Sequence, residues 1–313
     1  MVRRAAHGIA TGIGVFAVVA GAVPAFAQDI SVAPRLRSGD QFRLEIARVR
    51  EDASRPQQDG RITTTIDVRV VAVAADRIDL EWTPGVATSA TGQIAQDPLL
   101  TTAPRALSGM VLRLALSGDG VLTGLTNQAD VAPKLQAAVD IVIKGLTEKL
   151  PPEQRKGFTD LVAQMLSPAA LLESATRDAQ MYFGLNGLTL AVGRTLELDM
   201  QQPNPLGGAL LPALVRIRAE SATGDSALFQ TTTTYDGAAL LRLTRALVEQ
   251  TGARISDEEL AKLPTIDMDE NGRYVFDRTL GLMREVVVSR RVVAGAERRT
   301  DRWEIRLSKA PDR

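Results

Sequence analysis

Strict alternation of apolar and polar residues constrains this chain most. Phe42, Leu44 and Ile46 interleave with Arg43, Glu45 and Ala47. Ile62, Thr64, Ile66, Val68 and Val70 interleave with Arg61, Thr63, Thr65, Asp67 and Arg69. Ile78, Leu80 and Trp82 interleave with Arg77, Asp79 and Glu81. Side chains of a strand point alternately to its two faces, so each run is a strand with one buried and one wet face. That pattern favours antiparallel pairing, because parallel sheets are covered on both faces. The "AAD" between the second and third runs reads as a hairpin turn.

Alternation resumes at Leu112, Leu114 and Leu116, with "SGDG" as a turn. It returns at Leu196, Leu198 and Met200, and again in "ALVRIRAES" and "ALFQTTTTY" around the turn "ATGDS". A long run from Tyr274 to Val293 and a strand on Trp303, Ile305 and Leu307 complete the set. The intervening segment Thr83–Met110 is rich in Thr, Ala, Pro and Gly and reads as a long loop, either a lid or a disordered surface segment.

Between the two β-rich arms the spacing turns helical. Leu135, Val139, Val142, Leu146 and Leu150 recur at helical intervals, and Pro151-Pro152 ends that helix. A second helix is predicted over Glu153–Leu166. A third opens at Ser167-Pro168 and runs to Phe183 on Leu171, Leu172, Ala175, Ala179 and Tyr182. Asp236 reads as the cap of a further helix, and Ser256 with Glu259 as a capping box. The predicted fold is α+β: about ten strands in a curved, mainly antiparallel, half-barrel-like sheet, packed against a helical block inserted at about 128–185. No polar linker splits residues 28–313, so they read as a single domain.

The N-terminus reads as an export signal. Arg3 and Arg4 precede an apolar core of 15 residues from Ile9 to Val23, and Ala25 and Ala27 occupy −3 and −1 of a cut after Ala27. An uncleaved anchor is the second reading, although the core is short and holds three glycines. Residue 28 is Gln, not the Cys of a lipid anchor. Cleavage leaves 313 − 27 = 286 residues and removes Arg3, Arg4 and the sole histidine, His7. The balance becomes 37 − 2 = 35 basic against 37 acidic residues, a charge that attracts neither nucleic acid nor an anionic membrane. Localisation is then periplasmic or secreted, with no stable membrane anchor.

The mature chain has no imidazole, and the whole chain has no cysteine. Nucleophilic catalysis by Ser-His-Asp or Cys-His is excluded, as are zinc, haem and iron–sulfur sites built on His or Cys. Phosphate-loop and nucleophile-elbow motifs are absent from the sequence. A carboxylate pair for hydrolysis needs no sequence proximity and stays open.

"TIDMDENGRYVFDR" places Asp267, Asp269, Asn271 and Gly272 like the first part of an EF-hand loop. Position twelve of such a loop is a bidentate Glu, and here it is Arg278. "DENG" therefore reads first as a hairpin turn, with Asp267, Asp269 and Asn271 as ligands of a weaker calcium site in the second reading. The Arg290-Arg291 and Arg298-Arg299 pairs flank a turn at "VVAGAE" and read as exposed strand-end charges. Trp82 and Trp303 fall on apolar strand faces and read as core.

Three functions follow. The first is an exported, non-enzymatic periplasmic protein that captures an apolar small molecule or an envelope protein between sheet and helices. Its candidate contacts are Trp82, Leu99, Leu100, Leu206 and Leu210, gated by Thr83–Met110 and Pro203–Pro212, and it needs no cofactor. The second is a carboxylate-pair hydrolase. The third is a structural calcium-binding envelope protein. Exported carriers of lipids or lipoproteins use half-barrels with helical lids, an analogy at the level of fold.

Overall fold

The computed structural model describes residues 29–92, 109–147, 151, 155, 159, 168–202, 210–250 and 265–311. The chain is mostly strand, arranged in a large, open antiparallel sheet with few helices. In chain order the elements are β1 (Asp29–Ser31), β2 (Gln41–Asp52), β3 (Gly60–Val73), β4 (Arg77–Gly92), β5 (Leu112–Ser117) and β6 (Leu122–Leu125). Then come α1 (Gln128–Thr147), α2 (Pro168–Phe183), β7 (Thr189–Ala191), β8 (Thr195–Gln202), β9 (Leu211–Ala222) and β10 (Ser226–Tyr235). Last are α3 (Gly237–Gln250), β11 (Ile266–Asp277), β12 (Leu282–Ala294) and β13 (Glu297–Lys309).

Eleven strands form one sheet in the order β6-β5-β4-β3-β2-β13-β12-β11-β10-β9-β8, while β1 pairs with β7 separately. Each neighbour pair is antiparallel. Two meanders, β2–β6 and β8–β13, meet where the first large strand pairs with the last. At that seam Leu44 faces Leu307, Ile46 faces Ile305 and Arg48 faces Trp303. The sheet does not close, and β6 and β8 are its edges.

Alternation sorts the two faces as the sequence predicts. Phe42, Leu44, Ile46, Ile66, Val68, Ile78, Leu80, Leu112 and Leu114 are all buried on one face. A row of Ile46, Ile305, Val286, Tyr274, Phe229 and Ala219 crosses six strands of that face. The other face carries cross-strand ion pairs, among them Arg43–Asp67, Arg216–Glu197 and Arg306–Glu285. Such exposed pairs keep the face wet and contribute little stability each.

Helix α2 anchors the apolar face. Tyr182 stacks on Phe42 at 6.3 Å between ring centroids and meets Phe183 edge-on at 5.0 Å. Its hydroxyl donates to the Met283 carbonyl at 3.0 Å, so the ring is buried with its polar tip satisfied. Leu135 and Val139 of α1 are buried, as their spacing requires. Asp236 caps α3 by accepting from the amides of Ala238 and Ala239.

Three expectations are corrected. Thr83–Gly92 is not loop but the second half of β4, paired with β3 as far as Gly60 opposite Gly92. Thr and Val favour strand there, and register shifts along the pairing accommodate Pro84. "DENG" is not a turn. Asn271 and Gly272 lie inside β11, opposite Thr232 and Thr231 of β10 and Ser289 and Val288 of β12. Gly272 serves close packing: a Cβ would meet Thr231 Oγ1 at 2.2 Å and Tyr274 Cε2 at 2.8 Å. The run from Tyr274 to Val293 is not one strand either. It breaks at Arg278–Gly281, where Gly281 takes φ +69° and Asp277 Oδ1 accepts from Thr279 and Leu280 at 2.8 Å. The Ser256–Glu259 capping box, residues 93–108 and the N-terminal segment to residue 28 lie outside the described residues, as does the helix expected at Glu153–Leu166 apart from residues 155 and 159, which are helical.

Candidate functional site

Trp82, a candidate ligand contact, is 1% exposed. It lies 6.4 Å from the Tyr182 ring and 6.0 Å from Phe183, inside the aromatic cluster that seats α2. Leu210 is 54% exposed, one residue before β9. The structure does not bring these two together, and Leu99, Leu100 and Leu206 lie outside the described residues. Asp267, Asp269 and Asn271 share the face away from α2, by alternation along β11. Asp269 is engaged by the Arg291 guanidinium at 2.7 Å and by the Asn271 amide at 3.1 Å. Among the described residues no group of three or more His, Cys, Asp or Glu side chains is placed to hold a metal ion.

A groove of about 410 Å3 opens at the β8–β10 end of the sheet. Residues of both strand parities line it: Asp199, Gln201 and Leu214 from one, Met200, Ala213 and Tyr235 from the other.

The face covered by α2 holds an arrangement absent from the predicted contacts. Its apolar rows give way to a charged belt, where Thr233, Glu270, Arg290, Asp301 and Arg50 stand in register on successive strands. Arg290 was expected to be an exposed strand-end charge, but it is 7% exposed and ion-paired with Glu270. Its position along β12 has the parity of Val286 and Val288, which turns it inward. Arg50 and Arg299 share Asp301, at 3.0 and 2.6 Å. Arg48 reaches Asp178 of α2 at 2.7 Å. Among the described residues the buried Asp178 Oδ1 and Arg48 Nε atoms have no hydrogen-bond partner.

Trp303 sits between these charges. The guanidinium carbon of Arg177 lies 4.6 Å from its ring centroid, and that of Arg290 lies 5.4 Å away. Both are within cation–π range. Burial holds the Arg177 pKa below the ordinary guanidinium value, with Arg290 and Arg48 adding repulsion against the partial attraction of Glu270 and Asp178. The Tyr235 hydroxyl is pushed up by burial and by Glu270, to which it hydrogen-bonds. Among the described residues Arg48, Arg50, Arg177, Arg290 and Arg299 thus meet Asp178, Glu270 and Asp301, with buried Asp52 opposite Arg299 in register. Chemically the belt suits electrostatic holding of an anion. Strand parity at Glu270, Arg290 and Asp301 is the signal from which the belt could have been read.

No family model matches the chain, and no curated protein matches it. A solved structure of lipovitellin concerned with its lipid–protein interactions is similar over 88% of this chain and 26% of that chain. Identity is 10% and the TM-score 0.38. The chain spans about a quarter of the length of that relative, and likeness at this score assigns neither fold nor function.

Proposed function

We propose that this is an exported, non-enzymatic protein of the cell envelope that binds an apolar ligand, or an apolar face of an envelope partner, on the helix side of its sheet. The supporting observation is an apolar face that continues to both open edges. Leu122 and Leu125 on β6, and Leu196, Leu198 and Met200 on β8, are only partly buried against the core. Covering such side chains stabilises a complex by about 25 cal/mol per Å2 of apolar surface. An open sheet can accept that cover at its edges without disturbing the packed centre. The export signal read in residues 1–27 accounts for the envelope location.

Native mass spectrometry of the protein purified from its own envelope fraction tests the binding. A co-purifying apolar molecule or a defined protein partner supports it. Bare protein that also fails to bind a fluorescent apolar probe refutes it. N-terminal sequencing tests export: Gln28 is the expected first residue, and Met1 on a cytosolic species would reject it.

A further inference from the structure

Strand β8 is an edge left open. Among the described residues no strand pairs with its outer side, and its eight residues, Thr195–Gln202, run along β9 without a register shift. Such an edge presents a row of free N–H and C=O groups, and proteins commonly blunt it with Pro, Lys, a bulge, brevity or a cover. The far edge is managed in that way: β6 has four residues, carries Gly124, shifts register against β5 and contacts α2. The sequence "TLELDMQQ" of β8 holds neither Pro nor Lys. Its charges are Glu197 and Asp199, which by alternation share the face away from α2. Leu196, Leu198 and Met200 take the other face, partly buried against the core. Arg216 engages Glu197 at 2.7 Å. Asp199 stands opposite Leu214 and, among the described residues, has no hydrogen bond and no ion pair. The two acids disfavour a second copy as the occupant. Two β8 strands paired antiparallel about a two-fold axis at Leu198 bring Glu197 of each opposite Asp199 of the other, and like charges directly opposed are destabilising. The groove of about 410 Å3 continues the edge, with Asp199, Met200 and Gln201 lining it from β8. Asp236 adds a second carboxylate there, its Oδ1 held by the Ala238 and Ala239 amides.

We propose that the β8 edge is a strand-addition site for a partner protein, which supplies an extended segment of alternating apolar and basic residues. Its apolar side chains lie beside Leu196, Leu198 and Met200, and its basic ones stand opposite Glu197 and Asp199, one of them reaching the groove. This rests on the envelope-partner side of the proposed function and names the contact. Main-chain ladder bonds supply the affinity of an added strand, while side-chain pockets and charge select its sequence.

The test titrates the purified protein with capped eight-residue peptides, one alternating valine with arginine and one alternating valine with glutamate. Calorimetry gives the affinity, and amide hydrogen exchange locates the contact. The arginine peptide is expected to bind about ten-fold tighter, because two opposite-charge pairs replace two like-charge pairs, and to slow exchange in Thr195–Gln202. The double variant E197Q/D199N should bring the two affinities together without changing the melting temperature, since an exposed ion pair contributes little stability. Backbone groups of alternate residues point to opposite edges of a strand, so N-methylation separates the two edges. Methylating either all valine or all arginine amides of the arginine peptide should abolish binding in one case and spare it in the other, and the set that abolishes it gives the direction of the added strand. Retention of affinity by both methylated peptides overturns strand addition. Free arginine binding as tightly as the peptide overturns it in favour of a small-cation site in the groove. A concentration-dependent dimer with slowed exchange in Thr195–Gln202 assigns the edge to a second copy and overturns the proposal. Failure of the arginine peptide to bind a protein that still takes up a fluorescent apolar probe overturns the edge site and leaves apolar binding standing. Failure of both refutes the two together.

Discussion

At Arg290 a guanidinium and the Glu270 carboxylate are taken out of water together on a face otherwise made of Val286, Val288 and Tyr274. Removing one partner of such a pair strands the other. E270L or R290M should each cost about 3–5 kcal/mol, whereas E270L combined with R290M should recover much of the loss. Urea unfolding of the singles and the double closes the cycle, and single-mutant costs below about 1 kcal/mol would refute the buried pairing. Asp277 supplies a prediction in pH. Burial alone would raise its carboxyl, but the Leu280 and Thr279 amides and the Arg284 guanidinium more than offset it, so the folded value lies below the ordinary 3.8. A depressed folded value means that the stabilisation is present above the ordinary carboxyl range and lost as pH falls through the folded value. D277N should therefore be less stable than wild type at neutral pH, and the gap should narrow on acidification below about pH 4. Melting temperatures of the two proteins followed from pH 7 to 2 measure it; a constant gap would contradict the ionic role of Asp277.

Elements differ in how openly their sequences declare them. Strands β2, β3 and the first half of β4 were legible because each has one wet and one dry face, and period two survives wherever that holds. Helices α2 and α3 were legible from their starts, Pro168 and Asp236. D236A should cost about 1 kcal/mol by freeing the amides of Ala238 and Ala239, with a matching loss of helical circular dichroism on heating. The β11–β12 junction misled because Asn271-Gly272 is a stronger turn signal than Arg278–Gly281. Tertiary packing overrides that signal: Thr231 and Tyr274 fill the space above Gly272, while Gly281 takes the left-handed backbone and abuts Arg35. G281A should destabilise by about 1–3 kcal/mol, since its Cβ would lie 2.4 Å from the Arg35 amide nitrogen as well as straining φ. A chemical-denaturation midpoint equal to wild type would contradict this placement of the turn. Of the site, the apolar face was legible as a surface, but the belt was not. Its members are separated by up to about 250 residues, and single charges within apolar strands look like ordinary surface arginines until register places them side by side.

The whole molecule is a meander cut at its middle. Hairpins inside each arm join neighbours in sequence, but the seam pairs Ile46 with Ile305 and Arg50 with Asp301, partners separated by most of the chain. Closing so long a loop costs entropy before the seam's own contacts can repay it, so the seam should form after the arms. Ile305 is fully buried at that seam, and Phe229 is fully buried within the local β9–β10–β11 meander. I305A and F229A should each lose about 2–5 kcal/mol of stability from the cavity they leave. Their kinetics should differ. For I305A the loss should appear mainly as faster unfolding, because contacts made late are absent from the transition state; for F229A a larger share should appear as slower folding. Stopped-flow chevrons for the two variants decide the order. If I305A slows folding more than F229A, the seam belongs to the folding nucleus, and the arms assemble on it rather than before it.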